Sequence, residues 1–246
     1  MPTVAGLPDI IKRTAYSIVL VHGAWHGGWC WQRITSGLSA KGHRVFTPTL
    51  TGLGERVHLA SPEINLDTHI QDVVNVIKSE ELSDVILVGH SYAGMVITGV
   101  ADKLAGAIKK LIYLDAFVPE HGNSLIDFFS AEIKAGVSKE GEATGYVKPL
   151  PVSVFGISNS EDQDWVTRRM VAQPYATLAQ PLNLSRGIGN IPRSYIYCST
   201  PPSGSFTQFA MRFKADPTWT YHELKTGHDC MIISPDDLIR TLCKEL

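Results

Sequence analysis

The segment Asp84-Val85-Ile86-Leu87-Val88-Gly89-His90-Ser91-Tyr92-Ala93-Gly94 decides the fold. Asp84 to Val88 is apolar and β-branched, the pattern of a strand covered on both faces. Beyond it Met95, Val96, Val100 and Leu104 recur at helical spacing. Ser91 therefore stands at the apex of a sharp strand-to-helix turn. Helix and strand approach closely there only if the neighbouring residues are small, and Gly89 and Ala93 lie two places to either side. The arrangement matches the nucleophile elbow G-x-S-x-G, with Ala93 in the last position and Gly94 behind it. A serine that merely caps the following helix is the alternative reading.

Two further segments favour chemistry at Ser91. In Ile18-Val19-Leu20-Val21-His22-Gly23-Ala24-Trp25-His26-Gly27-Gly28-Trp29 an apolar strand runs into a glycine-rich turn, and Trp31, Ile34 and Leu38 mark a helix after it. Acyl transfer needs backbone N–H donors aimed at the developing oxyanion. Ala24 is the expected first donor, and the residue after the nucleophile, Tyr92, the second. A tight turn packed with tryptophans for stability would look much the same. Near the C-terminus, Tyr221 to Leu224 reads as a last strand, and His228 follows in a loop behind Gly227. A serine hydroxyl needs a base to take its proton, and histidine titrates in the useful range.

Taken in order, the stretch His22 to Trp31, Leu50-Thr51-Gly52-Leu53-Gly54, Gly89-His90-Ser91, Leu114-Asp115-Ala116-Phe117-Val118-Pro119 and Gly227-His228-Asp229 resemble an α/β-hydrolase. Within that superfamily they resemble the branch of bacterial pyrethroid-hydrolase-like carboxylesterases, plant methyl esterases and plant hydroxynitrile lyases. The resemblance runs from about Ser17 to the C-terminus and is weakest from Asn123 to Leu184. It implies Ser91 as nucleophile, His228 as base and the N–H groups of Ala24 and Tyr92 as oxyanion hole. Gly23, Trp25, Phe117 and Phe128 are expected in the substrate pocket.

Such relatives usually carry the triad acid just after the strand preceding the last one. Here that strand, Ser194 to Cys198, runs into Ser199-Thr200-Pro201-Pro202-Ser203-Gly204-Ser205, without a carboxylate. The imidazole still needs an acceptor on its far nitrogen. Asp115 ends the strand Leu111-Ile112-Tyr113-Leu114, next after the nucleophile strand, and is the expected acid. Its alternative role is to cap the following loop. Asp216 is nearer in sequence to His228 but is expected to end a helix, Phe206 to Lys214, on the far side of the sheet. Asp229 adjoins His228, and adjacent residues rarely present side chains in that way.

Composition agrees. A chain of 246 residues with 44% hydrophobic content can bury one large core, as a single domain spanning 1–246. A net charge of −2 offers no polyanion-binding surface, so no nucleic acid partner is expected. No apolar run approaches the roughly eighteen residues of a membrane span. Lys12-Arg13 interrupts the short apolar N-terminus, so a secretory leader is not expected. Cys30, Cys198, Cys230 and Cys243 show no metal or redox spacing and read as reduced thiols of a cytoplasmic protein, with Cys230 near the site through its neighbour His228.

Strand-like and helix-like segments alternate, which predicts a mostly parallel sheet with helices on both faces. His43 to Pro48 reads as a strand, and Asp67 to Leu82 as an amphipathic helix capped by Asn65 or Asp67. From Pro119 to Leu184 glycines and prolines break the pattern, with helices expected over Ser124–Ile133 and Asp164–Leu178. This stretch, 119–184, is expected to form a cap over the site. Of Trp25, Trp29, Phe117, Phe128, Phe129, Phe155, Trp165, Tyr175 and Phe206, about a third are expected to face the cavity. Arg168 and Arg169 read as solvated.

The reading that follows is serine hydrolysis of small hydrophobic esters by a monomer or homodimer, with no metal or organic cofactor. Hydroxynitrile lyases resemble one another in a threonine at the Gly23 position and a lysine after the histidine. Asp229 stands in that second place, where it would repel cyanide. A ligand-binding protein with slow or no turnover is the rival from another class, and cofactor-free chemistry other than ester cleavage on the same residues stays open.

Overall fold

The computed structural model describes residues 15–202 and 204–246, so the expectation drawn from Lys12-Arg13 lies outside the described residues. The first half of the chain runs β1 (Ser17–Val21), α1 (Gln32–Ser39), β2 (Arg44–Phe46), α2 (Leu66–Ser79), β3 (Val85–His90), α3 (Ala93–Leu104) and β4 (Ile108–Leu114). There follow α4 (Ala131–Thr144), β5 (Tyr146–Val147), α5 (Ser160–Thr167), β6 (Gln173–Pro174) and α6 (Ala176–Ala179). The chain closes with β7 (Arg193–Cys198), α7 (Gly204–Ala215), β8 (Trp219–Leu224), α8 (Cys230–Ile233) and α9 (Pro235–Lys244).

Six strands form one parallel sheet in the order β2-β1-β3-β4-β7-β8. The pleat sends alternate residues to opposite faces. Val19, Val21, Leu87, Leu111 and Tyr113 join a core with α2, α3 and α7. Ile18, Leu20, Ile86, Val88, Ile112 and Leu114 join a second core with α1 and α9. Both faces are buried, which is why these strands read as continuous apolar runs rather than alternating ones. In α2 the side chains of Ile70, Val73, Val74 and Ile77 are buried, each worth about 1.5–3 kcal/mol of transfer free energy. Asn65 caps that helix: its side chain accepts from Thr68 N–H at 3.1 Å, within a reciprocal capping box.

The stretch 119–184 departs from the expected helices. Leu125–Phe128 is a short 3-10 turn, and the helix begins only after the cap at Ser130. The stretch expected to be one helix over Asp164–Leu178 is broken, because Gln173 and Pro174 pair with Tyr146 and Val147 in a two-stranded antiparallel ribbon. Proline cannot continue a helix and fits such an edge. Leu125, Ile126, Val147 and Leu178 pack into the first core, Phe155, Ile157 and Val166 into the second. Arg169 lies over the Trp165 ring at 4.8 Å.

Candidate active site

The chain places Ser91 directly after β3, Asp115 after β4, His228 after β8 and Ala24 after β1, at the carboxyl ends of parallel strands. Loops there carry the ligand sites of open α/β sheets. Ser91 has φ 56, a left-handed conformation that costs a non-glycine residue about 1–3 kcal/mol. Neighbours hold it there. Its N–H donates to Leu114 O at 3.2 Å, and its carbonyl accepts from Gly94 N–H at 3.1 Å and Phe117 N–H at 3.2 Å. A Cβ on Gly94 would lie 1.8 Å from Phe117 O, so the elbow needs glycine one place beyond the usual position.

His228 donates through Nδ1 to Asp115 Oδ2 at 2.6 Å, and its ring stacks on Phe206 with centroids 4.7 Å apart. Asp115 is itself left-handed, φ 41, with its N–H on Ile196 O at 2.7 Å. The other carboxylate oxygen, Oδ1, accepts from Cys198 N–H at 3.1 Å. Burial pushes this carboxyl up, and the bond from His228 opposes the shift. Asp216 is remote: it is half-buried, accepts from Thr218 N–H at 2.9 Å and Thr218 Oγ1 at 2.7 Å, and lines a separate surface groove with Arg193 and Arg212. Of the two carboxylates weighed from sequence, the structure brings Asp115 to His228.

The turn after β1 is held by imidazoles. His22 accepts Leu50 N–H on Nε2 at 3.1 Å, so its proton is on Nδ1, which donates to Gly23 O at 2.8 Å. Burial lowers its pKa to about 3 against that bond, and the ring is neutral. His26 lies 2.7 Å from Ala24 O through Nδ1. Trp25, at φ 64, donates its N–H to Gln173 Oε1 at 3.1 Å, and Gln173 Nε2 in turn donates to Thr177 Oγ1. The Ala24–Trp25 peptide is thus gripped on both edges. Beside Ser91, the Tyr92 hydroxyl donates to His69 Nδ1 at 2.9 Å, since His69 Nε2 faces the acceptor Thr51 O. Among the described residues the N–H groups of Ala24 and Tyr92 have no acceptor within the protein.

Those two residues, Ser91 and His228 line one cavity of about 120 Å³. Its walls are Trp25, Phe117, Leu125, Phe129, Leu150, Val154, Phe155 and Phe206, and among the described residues Ser205 adds a further hydroxyl. Five of the nine aromatics weighed from sequence face it, more than the third expected. Phe128 is corrected: it packs behind the wall on Phe117 (5.6 Å) and Phe209 (5.5 Å), and its neighbour Phe129 faces inward. Gly23 is not a wall residue but a spacer, because a Cβ there would lie 3.0 Å from Ser91 Cβ. Cys230 is buried in the second core and does not line the cavity. Asp229 is also turned away, buried against His26 Nε2 at 3.2 Å, so the expectation that it would meet cyanide fails on placement. Leu150 and Val154 were not legible from sequence, since they sit on an exposed turn without periodicity.

Atoms of His90, His228 and Asp229 lie within 4.8 Å of one another, close enough to consider a cation. His228 Nδ1 is committed to Asp115 and His90 Nε2 to His228 O at 3.0 Å, so an ion would displace the partners of the histidine.

Residues 18–241 match the alpha/beta hydrolase family. The chain is 44% identical over 237 residues to a carbendazim hydrolyzing esterase of Nocardioides sp. (strain SG-4G), covering 92% of this chain and 98% of that protein. It is 27% identical over 201 residues to methylesterase 2 of Arabidopsis thaliana, covering 73% and 76% of the two chains. An extracellular alpha/beta-hydrolase from a Paenibacillus species superposes with a TM-score of 0.82 at 26% identity, over 93% of this chain and 98% of that one. With its parallel sheet, elbow and family match over nearly its whole length, the chain belongs to the alpha/beta hydrolase family.

Proposed function

We propose that the protein is a serine carboxylesterase acting on small, neutral, hydrophobic esters through Ser91, His228 and Asp115. The chain is a hydrolase of carboxylic esters, in keeping with its esterase relatives. One observation carries the finer reading: Ala24 and Tyr92, whose N–H groups meet no acceptor among the described residues, line one cavity with Ser91 and His228. Buried N–H groups are rarely left without a partner, and an oxyanion would supply one.

Ser91 Oγ attacks the ester carbonyl while His228 Nε2 takes its proton. Asp115 holds the ring in the required tautomer and stabilises the imidazolium. The oxyanion accepts from Ala24 and Tyr92 N–H. Collapse breaks the ester C–O bond, and His228 returns the proton to the leaving alcohol. Water then attacks the acyl-enzyme by the same route, releasing the acid and Ser91.

The cavity walls set the substrate class. Among the described residues no Lys or Arg side chain lines it, so a free carboxylate on the substrate would be desolvated without a permanent counter-charge. Its volume is close to that of cavities that hold one benzene ring. The rim residues Leu150 and Val154 are exposed, which leaves an apolar ledge for the portion that protrudes. Carbendazim, a methyl carbamate on a planar aromatic ring, has the right character and is the first specific substrate to assay, beside short p-nitrophenyl esters. Wild type should turn over and take a fluorophosphonate label on Ser91, and Ser91→Ala should do neither. Equal activity of the two proteins would overturn the reading and favour a ligand-binding role.

The 119–184 stretch serves in this reading as a cap that excludes water, with Leu125, Phe129, Leu150, Val154 and Phe155 as its contribution to the cavity.

A further inference from the structure

The mechanism leaves a buried pair unused. Asp229 is fully buried directly after the base, and its Oδ2 lies 3.2 Å from His26 Nε2. The other His26 nitrogen lies 2.7 Å from Ala24 O. A carboxylate and a peptide carbonyl both only accept hydrogen bonds. A neutral imidazole can donate to one of them and would turn a lone pair on the other. Only an imidazolium, with a proton on each nitrogen, satisfies both contacts. His22 differs in that its Nε2 meets a donor, Leu50 N–H.

The surroundings suit a cation. The His26 ring stacks on Trp29, centroids 5.1 Å apart and planes 24° apart, with Phe155 edge-on at 5.6 Å. An indole face is the best aromatic partner for positive charge. Other titratable groups surround the pair: His22 on the same turn, His90 at the end of β3, Cys30 after the turn, and His228 and Cys230 flanking Asp229. Burial alone would drive the His26 proton off, but attraction to Asp229 outweighs it and raises the pKa. The pairing in turn outweighs burial at Asp229 and holds that carboxyl below its usual range.

We propose that His26 is a buried imidazolium which, braced by Asp229, holds the Ala24 carbonyl, in the peptide next to the one that carries the oxyanion N–H, making both positioning residues for that donor. The proposal rests on the esterase reading. The pair ties the turn carrying Ala24 to the loop carrying His228, so donor and base keep one spacing. It also neutralises Asp229, leaving Asp115 as the uncompensated carboxylate beside the base.

The test is histidine-selective ¹⁵N labelling with one-bond N–H detection on the wild type at pH 8, beside steady-state kinetics of Asp229→Asn. In the wild type His26, assigned by its loss in His26→Gln, should carry a proton on both nitrogens. Asp229→Asn should remove one of them and lower kcat about tenfold or more, since a misaimed oxyanion donor acts in the transition state. KM should stay within about threefold, because ground-state binding is untouched. A singly protonated His26 in an active wild type overturns the proposal without requiring any variant to fold. So does a folded Asp229→Asn whose kcat matches wild type. A wild type with no turnover and no fluorophosphonate label fails the esterase reading itself, and the positioning role falls with it.

Discussion

Asp115 reaches His228 from β4, the strand beside the one that ends in Ser91, and both of its carboxylate oxygens are taken, one by His228 Nδ1 and one by Cys198 N–H. Asp115→Asn keeps the shape but offers an amide that can pair with the wrong tautomer. A kcat loss of about 10⁴-fold is expected. Asp216→Asn, in a separate surface groove, should leave kcat unchanged. Comparable losses in the two variants would remove Asp115 from the mechanism.

Gly94 faces Phe117 O so closely that a Cβ would sit 1.8 Å from it. Backbone cannot step aside as a flexible side chain can. Gly94→Ala should therefore destabilise the fold by about 3 kcal/mol and shift Ser91, whose carbonyl bonds both residues. Urea unfolding and p-nitrophenyl ester hydrolysis together would check it, and full stability with full activity would contradict the packing argument.

Three buried histidines are kept neutral: burial lowers His22 to about 3, His69 to about 4, and His90 well below its ordinary value. Unfolded, each titrates near 6.5. Above that pH neither state holds the extra proton, and stability is unaffected. As pH falls below 6.5 the unfolded chain gains protons that the folded one refuses, so stability drops by up to about 1.4 kcal/mol per unit for each histidine. Unfolding free energies at pH 7, 6 and 5 should fall steeply. A flat profile over that range would mean the rings are charged in the fold.

At the opposite end of the sheet, Glu245 accepts from Ser194 Oγ, His222 Nε2 and Lys110 Nζ, the last at 2.6 Å. Burial pushes this carboxyl up, but the three donors outweigh it and hold it at about 2, against 4.5 unfolded. Its contribution is present above pH 4.5 and lost as pH falls toward 2. Glu245→Gln should cost about 2 kcal/mol at pH 7, with the gap to wild type narrowing below about pH 4.5 and closing only below about pH 2. A gap as large at pH 3 as at pH 7 would assign the loss to packing.

The sheet was legible because its strands are buried on both faces and its helices on one, which leaves distinct periodicities in Val85 to Val88 and in Ile70 to Ile77. The positions of Ser91, Asp115 and His228 were legible because each follows a readable strand. The stretch over the cavity was not, since its short helices draw their order from contacts such as Gln173 with Trp25 rather than from their own pattern. The His26–Asp229 pair was invisible for a related reason: it spans 203 positions, and each member stands beside a more conspicuous neighbour.

Because the carboxylate that meets His228 comes from β4, the loop after β7 carries no acid. Yet Ser205 and Phe206, where that loop enters α7, line the cavity. In the proposed mechanism the carboxylate and this part of the cavity wall thus come from separate pieces of chain. Under the esterase reading, substitution at Ser205 recomposes the wall without touching Asp115 or its bonds with His228 and Cys198.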